Sequence, residues 1–532
     1  MFLIFDTETT GLPRNWNAPL TDFENWPRCI QIAWQLHDKN GACISHEDYI
    51  VKPDGYTIPY DSEKIHGIST ALAENDGLTL DKVLEKFHFA LERSEFVGGH
   101  NVKFDLNIMG AEFLRLSGKN PLEKLSIIDT CTEQTASLCQ LPGGRGGKFK
   151  FPTLSELHNY LFGNDFIEAH NATADVEATT RCFFELFRQG LIQPEVLINK
   201  PHVLNNLKEA IKHPVQGIGL KHQNLKEASS KLALDDQEKK IPRQTNKSDE
   251  ALLNQAQFVH LHTHSQFSIL QSTSRINDLI KTASNDRMNA ITITDHANMM
   301  GAFHFIKAVK KHNTDLEGQE RSLKPILGCE FFICDDHKDR SRKDNGFQIV
   351  FIAKNKKGYE NLVKMSSIAY TEGFYYVPRI DRSVVEQFKS DLIVLTGNLY
   401  GEVPSKILNL GNQQAEEALV WWQKKFGKDL YIELMRHNQE DEERVNKVLL
   451  TFAEKYNIKI VATNNSYYTD KKEANAHDIL LCVKGGEKQS TPIGRGRGFR
   501  YGFPNQEYYF KSQKEMKLLF SDIPEAIINI QE

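Results

Sequence analysis

Asp6 and Glu8 stand two residues apart at the end of a strand-like run over residues 2–8, with Thr7 between them. Residues two apart on a strand share a face, so the two carboxylates project together while Thr7 points away. Carboxylates held side by side repel unless a cation lies between them. Hard oxygen donors of this kind suit Mg²⁺ or Mn²⁺, the ions of phosphoryl chemistry. A strand end that merely carries two acids has the same local pattern, so the matter turns on further ligands. Residues 98–105 read as strand, turn and helix start, and put Asp105 in a first helical turn, where the dipole favours a carboxylate. Asp175 falls in the first turn of a later helix, with His170 five residues before it. Far along the chain, His260, His262 and His264 alternate on a second strand-like run and share one face. Three imidazoles on a core strand are costly unless metal or hydrogen bonds compensate.

The hydrophobic pattern supplies the elements that must position these groups. Strand-like runs at 2–8, 29–37 and 45–51 precede any helix, so hairpin pairing is expected there. Strands near 95–100 and 125–129 then alternate with helices, and a last helix over 172–189 stops at Gly190. This predicts a mixed-sheet α/β domain over residues 1–190. Residues 191–257 turn polar and lose sustained periodicity, which reads as a linker with short helices such as 203–211. From residue 258 a regular alternation resumes. Strands are expected at 258–264, 290–295, 325–333, 347–353, 391–396, 429–435 and 458–463, with amphipathic helices such as 440–456. Seven such units predict an α/β barrel over 258–532, with its site at the strand C-terminal ends.

With 532 residues, 40% hydrophobic and 25% charged, the chain has room for several domains with sizeable cores. No apolar run nears the ~20 residues of a membrane span, and the first strand begins without a signal peptide. A cytoplasmic protein with no membrane partner is therefore expected. Eight cysteines without a CxxC pair fit reduced thiols in that compartment. A net charge of −5 excludes a global positive field, so nucleic acid would have to be gripped locally. Two basic, aromatic, Gly-rich segments offer such a grip. One holds Arg145, Lys148 and Lys150, the other Arg495, Arg497 and Arg500, although a plain solvated loop has the same composition.

Three blocks then combine: Phe-Asp-x-Glu-x-Thr-Gly at 5–11, His-Asn-x-x-Phe-Asp at 100–105, and His-x-x-x-x-Asp at 170–175. In this order they resemble the DEDDh family of 3′–5′ exonucleases, over roughly residues 1–190. The resemblance implies an RNase H-like fold in which Asp6, Glu8, Asp105 and Asp175 bind two Mg²⁺ or Mn²⁺ ions and His170 is the general base. It also marks His66 to Ser69 and the pair Asp129 and Thr130 as structural features.

In the second half, His262 and His264, then Asp295-His296, then Cys329-Glu330 resemble the PHP (polymerase and histidinol phosphatase) family. Phrases at 357–362, 377–381 and 461–464 narrow this to the PHP domain of bacterial DNA polymerase III alpha subunits, from about Phe258 to the last residue. Metal-binding PHP members carry further ligands where this chain has Gln271, Gln348, Asn398, Asn465 and Tyr467. Neutral amides and a phenol are poor ligands for Zn²⁺ or Mn²⁺. Only His262, His264, His296 and Glu330 remain, so a trinuclear hydrolytic centre is not expected. The amides are expected to hydrogen-bond the leftover histidines, with a single structural ion as the alternative.

Together the resemblances imply a proofreading 3′–5′ exonuclease joined to the PHP region of a replicative polymerase. Its substrate would be a single-stranded or frayed 3′ end of DNA, and its partners a sliding clamp and other replisome subunits. A free-standing exonuclease acting on RNA and a non-catalytic PHP scaffold are the alternatives. Residues 522–532 begin a helix without a stop signal, so the chain is expected to be a fragment, or the product of a truncated gene, of a much longer polymerase.

Overall fold

Four consecutive apolar residues, Phe2 to Phe5, are almost wholly buried because β1 (Phe2–Thr9) is the middle strand of a sheet covered on both faces. β1 pairs antiparallel with β2 (Cys29–His37), which pairs antiparallel with β3 (Cys43–Ile50). On its other side β4 (Phe96–Gly99) and then β5 (Ser126–Asp129) add in parallel. The hairpin start and parallel continuation expected from the pattern are both present, and the sheet order is β3-β2-β1-β4-β5. Leu3 and Phe5 share a core with Trp34, Phe87 and Met109, the last from helix Lys103–Ser117. Phe2 and Ile4 share another with Phe183, Phe184 and Phe187 of helix Ala172–Arg188.

This computed structural model describes the chain apart from Arg14, Lys124, residues 144–147, Asp165, residues 167–170, Asn199, residues 219–223, 239–251, 254, 316–321 and 495–498. For residues 233–238 it describes the backbone alone. The chain divides into two units, Met1–Ile241 and Pro242–Glu532.

The first unit continues past Gly190 into the segment expected as a linker. Helix Pro201–Ala210 and its flanks place Ile192, Leu197, Leu207 and Ile211 in the core beneath helix Ala172–Arg188. Leu225 joins Ile30, Ile58 and Leu72, and the Ser229 hydroxyl donates to the Gly67 carbonyl at 2.7 Å. Widely spaced apolar residues, which show no periodicity over a long window, suffice here because each fills a separate notch.

In the second unit β6 (Ala290–Ile293), β7 (Lys324–Cys334) and β8 (Phe347–Ala353) are followed by β9 (Phe374–Tyr375), β10 (Val377–Asp381) and β11 (Leu392–Leu395). β12 (Leu430–Leu434) and β13 (Ile460–Ala462) complete the set. β6, β7, β8, β11, β12 and β13 pair in that sequence. Residues 258–264 close the curl. The Thr294 amide donates to the Thr263 carbonyl at 2.8 Å on one side, and the His264 amide to the Ser466 carbonyl at 2.9 Å on the other. The seven expected strand positions are thus all used. Residues 258–264, however, form only an isolated bridge, Thr263 with Ser466, and no regular strand. β8 also runs antiparallel to both β7 and β11, because residues 335–346 return without a helix. Buried Arg379 fastens that return. Its guanidinium donates to the carbonyls of His337, Asp339, Asp344 and Gly373. β10 flanks β7, and β9 flanks β10, outside the closed curl.

Gly98 lets β4 lie close to the neighbouring side chains. A Cβ there would stand 2.7 Å from both Ile4 Cδ1 and Phe183 Cε2. Gly98→Ala is expected to destabilise the first unit by ~1–3 kcal/mol through overpacking. Urea unfolding with an unshifted midpoint would contradict that packing.

Candidate metal centres

The two faces of β1 decide where the acids of the first site appear. Side chains alternate along a strand, so Asp6 and Glu8 continue the face of Phe2 and Ile4, under helix Ala172–Arg188. Asp175 sits in the first turn of that helix, whose Asn171 side chain caps the Thr173 amide at 3.1 Å. Ala33, opposite Asp6 on β2, packs against Ala172 and Val176, and these small residues let the helix start come close to the strand. Gln31, opposite Glu8, fixes the same point. It accepts from the Ala172 amide at 3.3 Å and donates to Asp48, which in turn accepts from the Thr173 hydroxyl at 2.6 Å. As a result Asp6, Glu8 and Asp175 bring carboxylate oxygens within 4.8 Å of one another.

Asp105 arrives from the other face. Thr7 continues the face of Leu3 and Phe5, where helix Lys103–Ser117 packs, and both its amide (3.0 Å) and its hydroxyl (2.6 Å) donate to Asp105 Oδ1. The four acids therefore do not share one face. Three gather, and the fourth is held by the residue between Asp6 and Glu8. The turn that presents Asp105 is set by Asp129, which accepts from the amides of Asn101 (2.8 Å) and Cys131 (2.7 Å). Thr130 bonds the Gly99 carbonyl and His100, so this pair has a structural part in the turn. His170 lies outside the described residues.

Crowding leaves a clear electrostatic mark. Glu8 is pushed up to about 8, first by burial and then by Asp175 and Asp105. Asp6 is held well above the usual carboxylate range by burial, then by Asp105, Asp175 and Glu8. Asp105 rises to about 7 through burial, against the pull of its bonds from Thr7. Among the described residues, the causes that raise these values are burial and neighbouring carboxylates. A set of hard oxygen donors that must hold protons when alone fits Mg²⁺ or Mn²⁺.

The second site is built differently. His262, His264 and Glu330 bring ligand atoms within 4.8 Å of one another, and all three are fully buried. His262 Nδ1 lies 2.8 Å from Glu433 Oε1, and its Nε2 lies 3.3 Å from Glu330 Oε1. His296 Nδ1 stands 2.6 Å from Glu330 Oε2. The two imidazoles thus bracket the carboxylate, His262 at one oxygen and His296 at the other. Burial opposes charge on His262, but Glu433 and Glu330 outweigh it and hold the imidazolium up to about 10. Burial opposes the anion on Glu330 as well, yet His296 and His262 pull its pKa well below the ordinary value. His264 is kept neutral by burial and by His296. Its Nδ1 meets the Ser268 hydroxyl at 3.0 Å and its Nε2 meets Asn465 Oδ1 at 3.0 Å.

Of Gln271, Gln348, Asn398, Asn465 and Tyr467, four engage this network through their side chains, Asn465 on His264, Asn398 and through it Gln348 on Glu330, and Tyr467 on His296. Tyr467 OH lies 3.2 Å from His296 Nε2, and Asn398 donates to Glu330 (3.1 Å) and to Gln348 (2.8 Å). Gln271 meets His477 only through its backbone carbonyl, so the bond expected from its amide to the leftover histidines is not seen among the described residues. His260 turns away to the Lys511 carbonyl, because residues 258–264 do not keep strand alternation. Glu433 and Thr463, whose hydroxyl donates to Glu433 at 2.6 Å, were not expected. The available signal was a lone charge in the buried strand Leu-Tyr-Ile-Glu-Leu.

Of the basic residues expected at nucleic acid, Arg500 is buried and forks onto Asp478 at 2.6 and 2.9 Å, which makes it an internal clamp. Lys148 pairs with Glu133 and Lys150 with Glu156. Arg145, Arg495 and Arg497 lie outside the described residues.

Two outcomes follow from these electrostatics. A carboxyl with a raised folded pKa adds stability that is complete below its ordinary 4.5 and is lost as pH rises through about 8. The metal-free chain should lose thermal stability across that window, and Mn²⁺ should restore more of it near ~pH 8 than near ~pH 5. Melting curves in chelator and in excess Mn²⁺ check this, and equal metal-induced shifts at both pH values would count against the centre. Glu433→Gln should destabilise the second unit by ~3–5 kcal/mol, since it leaves a buried imidazolium half-paired. Urea unfolding of the variant measures that cost.

Comparison with known proteins places both halves. Residues 3–183 match the family model for exonucleases and residues 260–437 that for the PHP domain. The DNA polymerase III subunit alpha of Borreliella burgdorferi is 36% identical over 278 residues, which cover 52% of this chain and 23% of that protein. That of Campylobacter jejuni is 35% identical over 289 residues, with the same coverage, and that of Thermus aquaticus 36% over 276 residues, 51% of this chain and 21% of that protein. The chain spans about a quarter of the length of the curated relatives it matches. Among solved structures, E. coli exonuclease I with a dA16 oligonucleotide is similar at 23% identity and a TM-score of 0.28, over 38% of this chain and 42% of that one. The chain thus carries an exonuclease domain followed by a PHP domain, and over about half its length it is homologous to DNA polymerase III alpha subunits.

Proposed function

We propose that this chain is the proofreading and PHP region of a bacterial replicative DNA polymerase, and that its first unit removes nucleotides from DNA 3′ ends by two-metal hydrolysis. The observation that carries this reading is the gathering of Asp6, Glu8 and Asp175, with Asp105 fixed behind them by Thr7. Two divalent ions, when bound, supply the acidity that activates water and steadies the leaving oxygen of an in-line displacement. Asp6, Glu8 and Asp175 hold that charge at the end of β1. Asp105 adds a carboxylate from the opposite face. His170, five residues before Asp175, takes the proton of the attacking water, which suits an imidazole at neutral pH.

The second unit serves as a scaffold. Asn465 and Tyr467 already occupy nitrogens of His264 and His296, which supports a barrel without a catalytic metal cluster. The relatives' names, those of a DNA polymerase subunit, support a place in DNA replication; a cytoplasmic replisome with a sliding clamp among the partners belongs to the same proposal.

Nucleotide release from single-stranded DNA, a mismatched primer end and RNA, in Mg²⁺ and in Mn²⁺, tests the reading. Asp6→Asn should abolish release, and His170→Ala should lower its rate by ~10²–10⁴-fold. Parental activity in either variant would overturn the assigned roles. Preference for RNA would favour a free-standing RNA exonuclease.

A further inference from the structure

Residues 15–28, between β1 and β2, form a loop whose stem is fixed at several points. Buried Asn25 clamps Asn15 in both directions, accepting from its amide at 2.7 Å and donating to its carbonyl at 3.0 Å. The Asn15 side chain in turn accepts from the Asn17 amide at 3.0 Å. Trp26 is buried and donates its indole N–H to the Pro19 carbonyl at 3.1 Å. Arg115, on the helix that carries Asp105, donates to the carbonyls of Phe23 (3.0 Å) and Trp26 (2.5 Å).

Held between Asn15 and Asn17, Trp16 keeps 51% of its surface exposed. Its ring centroid lies 5.7 Å from that of Phe104, tilted by 48°. Phe104 is the residue just before Asp105 and packs, partly buried, against a core of the first unit. A rigid stem, an uncovered indole and an aromatic support beside an acid of the metal centre together make a preorganised π-surface at the site. An exposed aromatic face fixed in this way gains by covering itself with another flat ring, and every nucleobase offers one.

We infer that Trp16, backed by Phe104, is a stacking platform for a base near the single-stranded 3′ end. The inference rests on the exonuclease reading above. Stacking is indifferent to base identity, so the platform grips any sequence, as removal of mispaired ends requires. Because the contact is made with the ground state and retained through the reaction, it acts on substrate binding and leaves the chemical step alone.

Steady-state release from single-stranded DNA by the full chain tests it. Trp16→Ala should raise KM by roughly 5- to 100-fold with kcat within about twofold of the parent. Trp16→Phe, which keeps a flat ring, should recover most of that loss. On an oligonucleotide whose last few nucleotides are abasic, parent and Trp16→Ala should have equal KM. A parental KM in Trp16→Ala on ordinary DNA would overturn the platform, and so would a KM penalty that persists on abasic ends. Failure of the parent chain to release any nucleotide would instead overturn the exonuclease reading.

Discussion

The first site depends on β1 being covered on both faces. Strand alternation then divides its residues with no further instruction: Phe2, Ile4, Asp6 and Glu8 on one side, Leu3, Phe5 and Thr7 on the other. The helix that buries Phe2 and Ile4 is the one that carries Asp175 in its first turn. The helix that buries Leu3 and Phe5 is the one that carries Asp105 in its first turn. Core packing and site assembly are one event, because the apolar half of each face sets where its acid lands. A one-residue slip of β1 against β2 would send Asp6 and Glu8 to the wrong helix, and it would exchange Phe2 and Ile4 with Leu3 and Phe5 between two cores each packed around the other pair.

The elements around that strand show why small and polar residues matter. Ala33 and Ala172 let a helix terminus approach a sheet, and Gly98 lets β4 lie beneath Ile4 and Phe183. Gln31 and Asp48 then hold the helix start by hydrogen bonds, where a larger apolar contact would have kept it away. Thr7 has a comparable part on the opposite face. It points away from Asp6 and Glu8, and for that reason it can receive Asp105.

Much of this was legible in the chain itself. Residues 2–8 read as a strand ending in same-face acids, and the hairpin start with parallel additions follows from strands that come before any helix. The spacing of apolar residues marked seven barrel positions and the helix Glu440–Tyr456. Long-range pairing was not legible. Asp105 to Thr7 and Glu433 to His262 join residues 98 and 171 positions apart, and no local period carries such partners. The reversal of β8 was hidden too, because a buried strand has the same apolar run in either direction. Residues 258–264 misled for a related reason. Alternating histidines imitate strand period, yet His260 follows a carbonyl of residue 511 away from the other two.

The two sites pose one electrostatic problem and meet it in opposite ways. At the first, Asp6, Glu8 and Asp105 have raised pKa values, and among the described residues the causes are burial and neighbouring carboxylates. Charge there can be balanced by bound protons or by a bound cation. At the second, Glu330 and Glu433 face His262 and His296, and the balance is internal. A metal entering it must first expel the proton that His262 retains up to about 10. Displacing that proton at neutral pH costs roughly 4 kcal/mol before any ligand bond forms. It must also break the bond between His264 and Asn465. Buried histidines and carboxylates in close contact are therefore weak evidence for a metal by themselves. What separates the two clusters is whether their charges are already answered from within the protein.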